Sequence, residues 1–134
     1  MATSYATFTA ALGALVVTGV NRRYDHIPAS LADLPCSWVQ LPSSEEGMMT
    51  FEGTGGFPML RAQLIIASVA SAQNTDKANW DSTIALIDNL ATALRGVAAG
   101  TLAKSKPIFS LRMISVQVAG TDYWAVEATV TAYG

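Results

Sequence analysis

The chain has 134 residues and a mass of 14.1 kDa, a size that fits one compact domain over residues 1–134 and leaves little room for two independent cores. Hydrophobic residues make up 51% and charged residues only 13%, against about 25% charged in an ordinary soluble protein. This excludes disorder and predicts that part of the surface is buried against other chains. A net charge of −2 gives no sign of electrostatic capture of nucleic acid. A single cysteine and a single histidine exclude an internal disulfide and a His/Cys zinc cluster, so no metal or cofactor is expected.

Residues 1–20 carry no charge. A signal peptide places positive charge before its apolar run, whereas Arg22 and Arg23 follow it. Thr3, Thr7, Thr9 and Thr18 break the run, which falls short of the ~20 apolar residues of a membrane span. The expectation is neither secretion nor membrane insertion. Within residues 4–17, Tyr5, Phe8, Leu12, Leu15 and Val16 recur at helical spacing and predict a first helix with Gly19 as its stop. Its other side, with Ala6, Ala10, Ala11 and Ala14, is also uncharged, as in a helix lying between its own core and a neighbour.

Pro28, Pro35 and Pro42 make residues 20–42 an extended connector. Leu31, Leu34 and Trp38 need burial, so it wraps the core and forms a short strand near residues 37–41. Residues 43–57, with Gly47, Gly53, Gly55 and Gly56 among Glu45, Glu46 and Glu52, predict an exposed loop or ragged hairpin. Residues 59–70 predict a strand with Leu60, Ala62, Leu64 and Ile66 on one side and Arg61 and Gln63 on the other.

After a polar break at residues 71–78, residues 79–96 predict a second helix, with Asn79 as N-cap, Gly96 as its end and a stripe of Trp80, Ile84, Ile87, Ala91 and Leu94. Residues 107–119 and 123–133 are β-rich runs joined at Gly120-Thr121-Asp122. Trp124, Val126, Ala128 and Val130 face the core, while Tyr123, Glu127, Thr129, Thr131 and Tyr133 form an outer face. The order helix, strand, loop, strand, helix, strand, strand gives an α+β fold, two helices packed on a mainly antiparallel β-sheet.

Little in the chain carries catalytic chemistry. Asp25, His26 and Cys36 are the one local cluster with a nucleophile and a base, but no nucleophile signature surrounds Cys36 and no enzyme is expected. Gly53-Thr54-Gly55-Gly56 is followed by Phe57-Pro58 and lacks the Lys-Ser/Thr of a phosphate loop. Lys104 and Lys106 predict a solvated basic pair. Arg22 and Arg23 have two readings: partners for acidic groups on another protein, or surface arginines at a helix end.

Val17-Thr18-Gly19-Val20-Asn21-Arg22-Arg23-Tyr24, followed by Pro28, Leu31, Ala32-Asp33-Leu34-Pro35 and Trp38, resembles the small neck proteins of long-tailed bacteriophages. The nearest likeness is to the tail terminators typified by that of phage lambda. It continues through Arg61, the helix after Trp80 and the terminal hairpin with Gly120 and Tyr123. The resemblance implies a virion structural protein, assembled in the host cytoplasm, whose ring of about six subunits closes through head-to-tail contacts. Such a ring caps the tail tube, stops its polymerisation and joins it to the head connector. The tail tube protein and the connector are then the partners, with DNA passing through the lumen without specific binding.

Under that resemblance three contact regions are expected: Arg22, Arg23, Tyr24 and Asp25; the loop from Glu45 and Glu46 through Glu52 to Phe57; and Tyr123, Glu127 and Tyr133 on the outer face, with Arg61 in the neighbouring strand. Arg22→Glu is expected to block assembly without unfolding the chain. Two alternatives remain: another neck component, such as a head-tail connector or tail-completion protein, and a small ligand-binding or enzymatic domain with a pocket near His26 and Cys36.

Overall fold

The computed structural model describes residues 3–24, 26–31, 33–42, 49–51, 58–70 and 77–134. Two helices, α1 (Tyr5–Gly13) and α2 (Lys77–Arg95), lie with strands β1 (Arg22–Arg23), β2 (Cys36–Gln40), β3 (Met49–Phe51), β4 (Pro58–Ala70), β5 (Ile108–Val118) and β6 (Thr121–Tyr133). The strands form one sheet in the order β1-β2-β4-β6-β5, with β3 beside β4. All pairings are antiparallel except β1 on β2. The α+β expectation therefore holds, with two short strands added: β1 inside the expected connector and β3 inside the expected loop.

Both helices cover one face of the sheet. Phe8 and Leu12 of α1 and Leu86, Leu90 and Leu94 of α2 pack on Leu60, Leu64, Ile66, Val126 and Val130 in one core. Ser4 caps α1, its side chain accepting a hydrogen bond from the Thr7 backbone N–H at 3.1 Å. The helix stops at Gly13 rather than near Gly19. At that point it rests on β2 so closely that a Cβ on Gly13 would meet Val39 Cγ2 at 3.2 Å. Val16, expected in the buried stripe, lies beyond the helix and is exposed.

Helix α2 begins two residues before Asn79, and its buried residues are Thr83, Leu86, Leu90, Ala91 and Leu94. Trp80 and Ile84, placed in the core stripe by sequence, are exposed, and Ile87 is only partly buried. Thr83 explains the rotation. Its hydroxyl donates to the Asn79 carbonyl at 2.9 Å and bonds Ser68 Oγ at 2.8 Å, so a polar residue holds the buried position. Ser68 lies where the β4–β6 register shifts between Ala67 and Val69, a bulge whose hydroxyl meets the helix.

The other face of the sheet carries a second, smaller cluster: Cys36, Trp38, Ile65, Ala67, Val118 and Ala125, against which Tyr24, Leu31 and Leu34 of the connector pack. Asn21 fastens the connector by donating from Nδ2 to the Leu34 carbonyl at 2.8 Å. The β5–β6 turn is Ala119-Gly120 rather than Gly120-Thr121-Asp122, because Val118 pairs with Thr121. Positive φ at both residues, 52° and 80°, is the conformation a two-residue hairpin loop demands.

Candidate interaction surface

Arg22 and Arg23 form an exposed edge strand and do not sit at a helix end, since α1 closes at Gly13. Pairing with Cys36 and Ser37 fixes their positions. The Arg22 guanidinium lies 3.8 Å from the Asp33 carboxylate and 4.8 Å from the centre of the Tyr24 ring. Two exposed partners and one ring give this contact little net energy, about 0–1 kcal/mol for a surface pair. Arg23 and Tyr24 line a groove of about 440 Å³ with Thr9, Ala10, Gly13 and Ala14 of α1. The uncharged side of α1 is thus open: Ala6, Ala10 and Ala14 are exposed.

The expected hairpin contact does not form one patch. Tyr123 and Tyr133 share the outer face but stand ten residues apart on one strand, about 33 Å at strand rise. Tyr123 is half-buried against the second cluster near the turn. Tyr133 pairs with Met59 at the opposite end, diagonal to Arg61. There Arg61 Nε donates to Thr131 Oγ1 at 3.3 Å, and Tyr5 donates from its hydroxyl to the Arg61 carbonyl at 2.7 Å, tying α1 to β4. Burial pushes the Tyr5 hydroxyl pKa up. Arg61 also lines a shallow cleft of about 230 Å³ with Ile108, Phe109, Ser110, Thr129 and Thr131.

Glu127 lies on the outer face between them, yet only 4% of its side chain is exposed. Arg112 of β5 donates from Nε to its Oε1 at 2.7 Å, so the carboxylate is engaged within the chain. In the same row across the sheet lies Trp38, whose buried Nε1 has no hydrogen-bond partner among the described residues. Asp25, Glu45, Glu46, Glu52 and Phe57 lie outside the described residues.

Cys36 is fully buried. Burial pushes its thiol from the ordinary 9.0 up to about 11; Arg22 pulls the other way and Asp33 adds to the rise. A thiol that stays protonated at neutral pH is a poor nucleophile, and His26 is exposed. Among the described residues no group of three or more His, Cys, Asp or Glu is placed to hold a metal ion, and no helix is long and apolar enough to cross a membrane.

Sequence reasoning missed the sheet's free sides. β5 pairs with β6 through every residue from Ile108 to Val118, and no other strand among the described residues borders it. Ile108 on this strand is 64% exposed, and Leu41, just past β2, is 57% exposed. On α2, Trp80 at 51% and Ile84 at 40% form a further apolar patch one helical turn long. The alternation that identified β5 gave no sign of its place in the sheet, because an edge strand and an inner strand share one period. No protein-family model matches the chain, and no characterised protein matches it either.

Proposed function

We propose that the protein is a ring-forming structural component of the neck of a long-tailed bacteriophage, a tail terminator that caps the tail tube and joins it to the head connector. One observation carries the reading: among the described residues a single sheet has two unlike open sides. One is an eleven-residue edge strand of alternating character; the other is a two-residue strand beside the groove under α1. Unlike, complementary sides suit head-to-tail contacts, which close into a ring when the rotation permits. The low charge, 13% of residues, and the exposed Trp80–Ile84 patch are in keeping with surfaces covered by partners above and below such a ring.

Light scattering across a concentration series tests the ring. The expected mass is that of a closed ring of about six chains of 14.1 kDa, and the assembled protein is expected to arrest elongation of tail tubes. A chain that stays at 14.1 kDa and leaves tubes growing overturns the reading. Rings that bind a head connector and ignore tubes would move the protein to another neck position.

A further inference from the structure

Among the described residues the β5 edge lacks the usual protection against strand addition. Natural edges carry proline, lysine, a bulge or a covering loop. β5 has no Pro or Lys, and its register with β6 runs unbroken from Ile108 to Val118. Its one charge, Arg112, is drawn onto Glu127 of the adjacent strand. On the far side of the sheet, β1 pairs only with Cys36 and Ser37. Tyr24 donates its backbone N–H to the Ser37 carbonyl at 2.7 Å and so flanks Trp38, leaving Val39 and Gln40 with β4 on one side and no strand on the other among the described residues. The groove at this side is bounded by Arg23 and Tyr24 on one wall and by Thr9, Ala10, Gly13 and Ala14 of α1 on the other, and the small side chains of the α1 wall leave room for an incoming strand.

We propose that a second copy of this chain fills that edge: residues 108–111 of one subunit add antiparallel to residues 39–42 of the next, beside α1. The inference rests on the ring reading and names its contact. β2, β4, β6 and β5 alternate in direction, so β5 runs antiparallel to β2 within the chain. Rotation about an axis along the strands preserves that direction and the height of every residue. Gln40, Gln63, Thr129 and Ser110 form one row, and Val39, Leu64, Ala128 and Leu111 the next. Ser110 of one copy then falls opposite Gln40 of its neighbour, and Leu111 opposite Val39.

Val39 and Leu111 both belong to the helix-covered core, so the arriving Leu111 enters on the side of Ala10 and Gly13. Exposed Ile108 and Leu41 lie at the same end of the two edges and are brought into the contact. Pairing ends where β1 occupies the neighbouring lane. Each chain offers one such strand and one such edge, the equal supply that a second copy alone guarantees. A contact of about four residue pairs falls well below the ~1,600 Å² of a standard interface. Single pairs are therefore weak, and closure, which gives each copy two contacts, stabilises the ring.

Single variants Ser110→Cys and Gln40→Cys, and the double variant, are oxidised mildly, run on non-reducing gels and weighed by light scattering before oxidation. The parent chain, whose Cys36 is buried, is the control. A disulfide dimer is expected only when the two single variants are mixed, and a ladder ending at the ring only in the double variant, because directly opposed positions bring Cβ atoms within bonding reach. Ser110→Lys, placing a charge on the edge, is expected to raise the assembly concentration at least tenfold with the circular dichroism unchanged.

Cross-linking of Ser110→Cys alone shows β5 pairing with β5 and overturns the proposal. Ring mass without the mixed disulfide overturns it and leaves the ring reading standing. A ladder that never closes supports the contact and overturns the ring. A monomer with no cross-link overturns both.

Discussion

The two faces of the sheet are built by the same strands and obey different rules. The helix-covered face is apolar along its length, from Leu60 and Ala132 at one end through Leu64, Ala128, Ile66 and Val126. The outer face changes character along the strands: Cys36, Ile65, Ala67 and Ala125 are sealed by the connector at one end, whereas Arg61, Ser110, Thr129 and Thr131 line an open cleft at the other. Strand alternation sets which side a residue faces, but the covering segment sets whether that side is core. A sheet with one continuous core and one half-covered face gains most of its stability from the first.

The sharpest way to break this comparison is to truncate each face. Leu64→Ala, in the helix-covered core, is expected to cost about 3 kcal/mol through lost burial and a residual cavity, while Thr129→Ala on the open face should cost less than about 1 kcal/mol. Urea denaturation measures both, and equal losses would mean that the outer face is also core.

Next in size is the sealed end of the outer face. The folded Cys36 thiol keeps its proton up to about pH 11, against an ordinary value of 9.0. The folded state thus holds more protons than the unfolded one between those values. The stabilisation is whole below pH 9 and is lost as pH rises to 11, a decline on the order of 2 kcal/mol. Denaturation midpoints at pH 8 and pH 11 measure the fall, and Cys36→Ala should flatten it relative to the parent.

Between the two ends, Arg112→Ala strips Glu127 of its ion pair. The arginine is 68% exposed and its contribution is screened, so the expected loss is about 1–2 kcal/mol at neutral pH. The double variant with Glu127→Gln should recover part of that loss; failure to recover would show that packing by the arginine stem matters more than charge. The smallest effect lies at the turn. Ala119 has φ of 52°, which strains a side chain with a Cβ, so Ala119→Gly should raise stability by about 0.5–1 kcal/mol, read as a higher melting temperature.

Much of the fold was legible because its strongest signals are local. Period-two alternation placed β4, β5 and β6 nearly to the residue, and the prolines marked the connector. The phase of α2 was misread because Thr83 fills a buried position that hydrophobic periodicity assigns to an apolar residue; its hydroxyl is satisfied by Ser68, which lies fifteen residues away and across the layer. Helix α1 ends short of its apolar pattern, because Gly13 meets Val39 while Val16 and Val17 continue the apolar character beyond it. The candidate contacts were legible as residue types only. Arg22 and Arg23 turned out to be an edge strand, Glu127 turned out to be engaged with Arg112, and Tyr123 and Tyr133 turned out to sit at opposite ends of one strand.

By itself the sequence determined what propagates along the chain: the element types, the two-layer class, the alternating faces and a charge content too low for an ordinary exposed surface. The tertiary structure alone decided strand order, and with it which strands lie at the edges of the sheet. It also decided which half of the outer face is sealed and which carboxylate is buried. Those outcomes depend on partners distant in sequence, and the local rules of period and propensity are blind to them because a strand has the same pattern wherever it sits in a sheet.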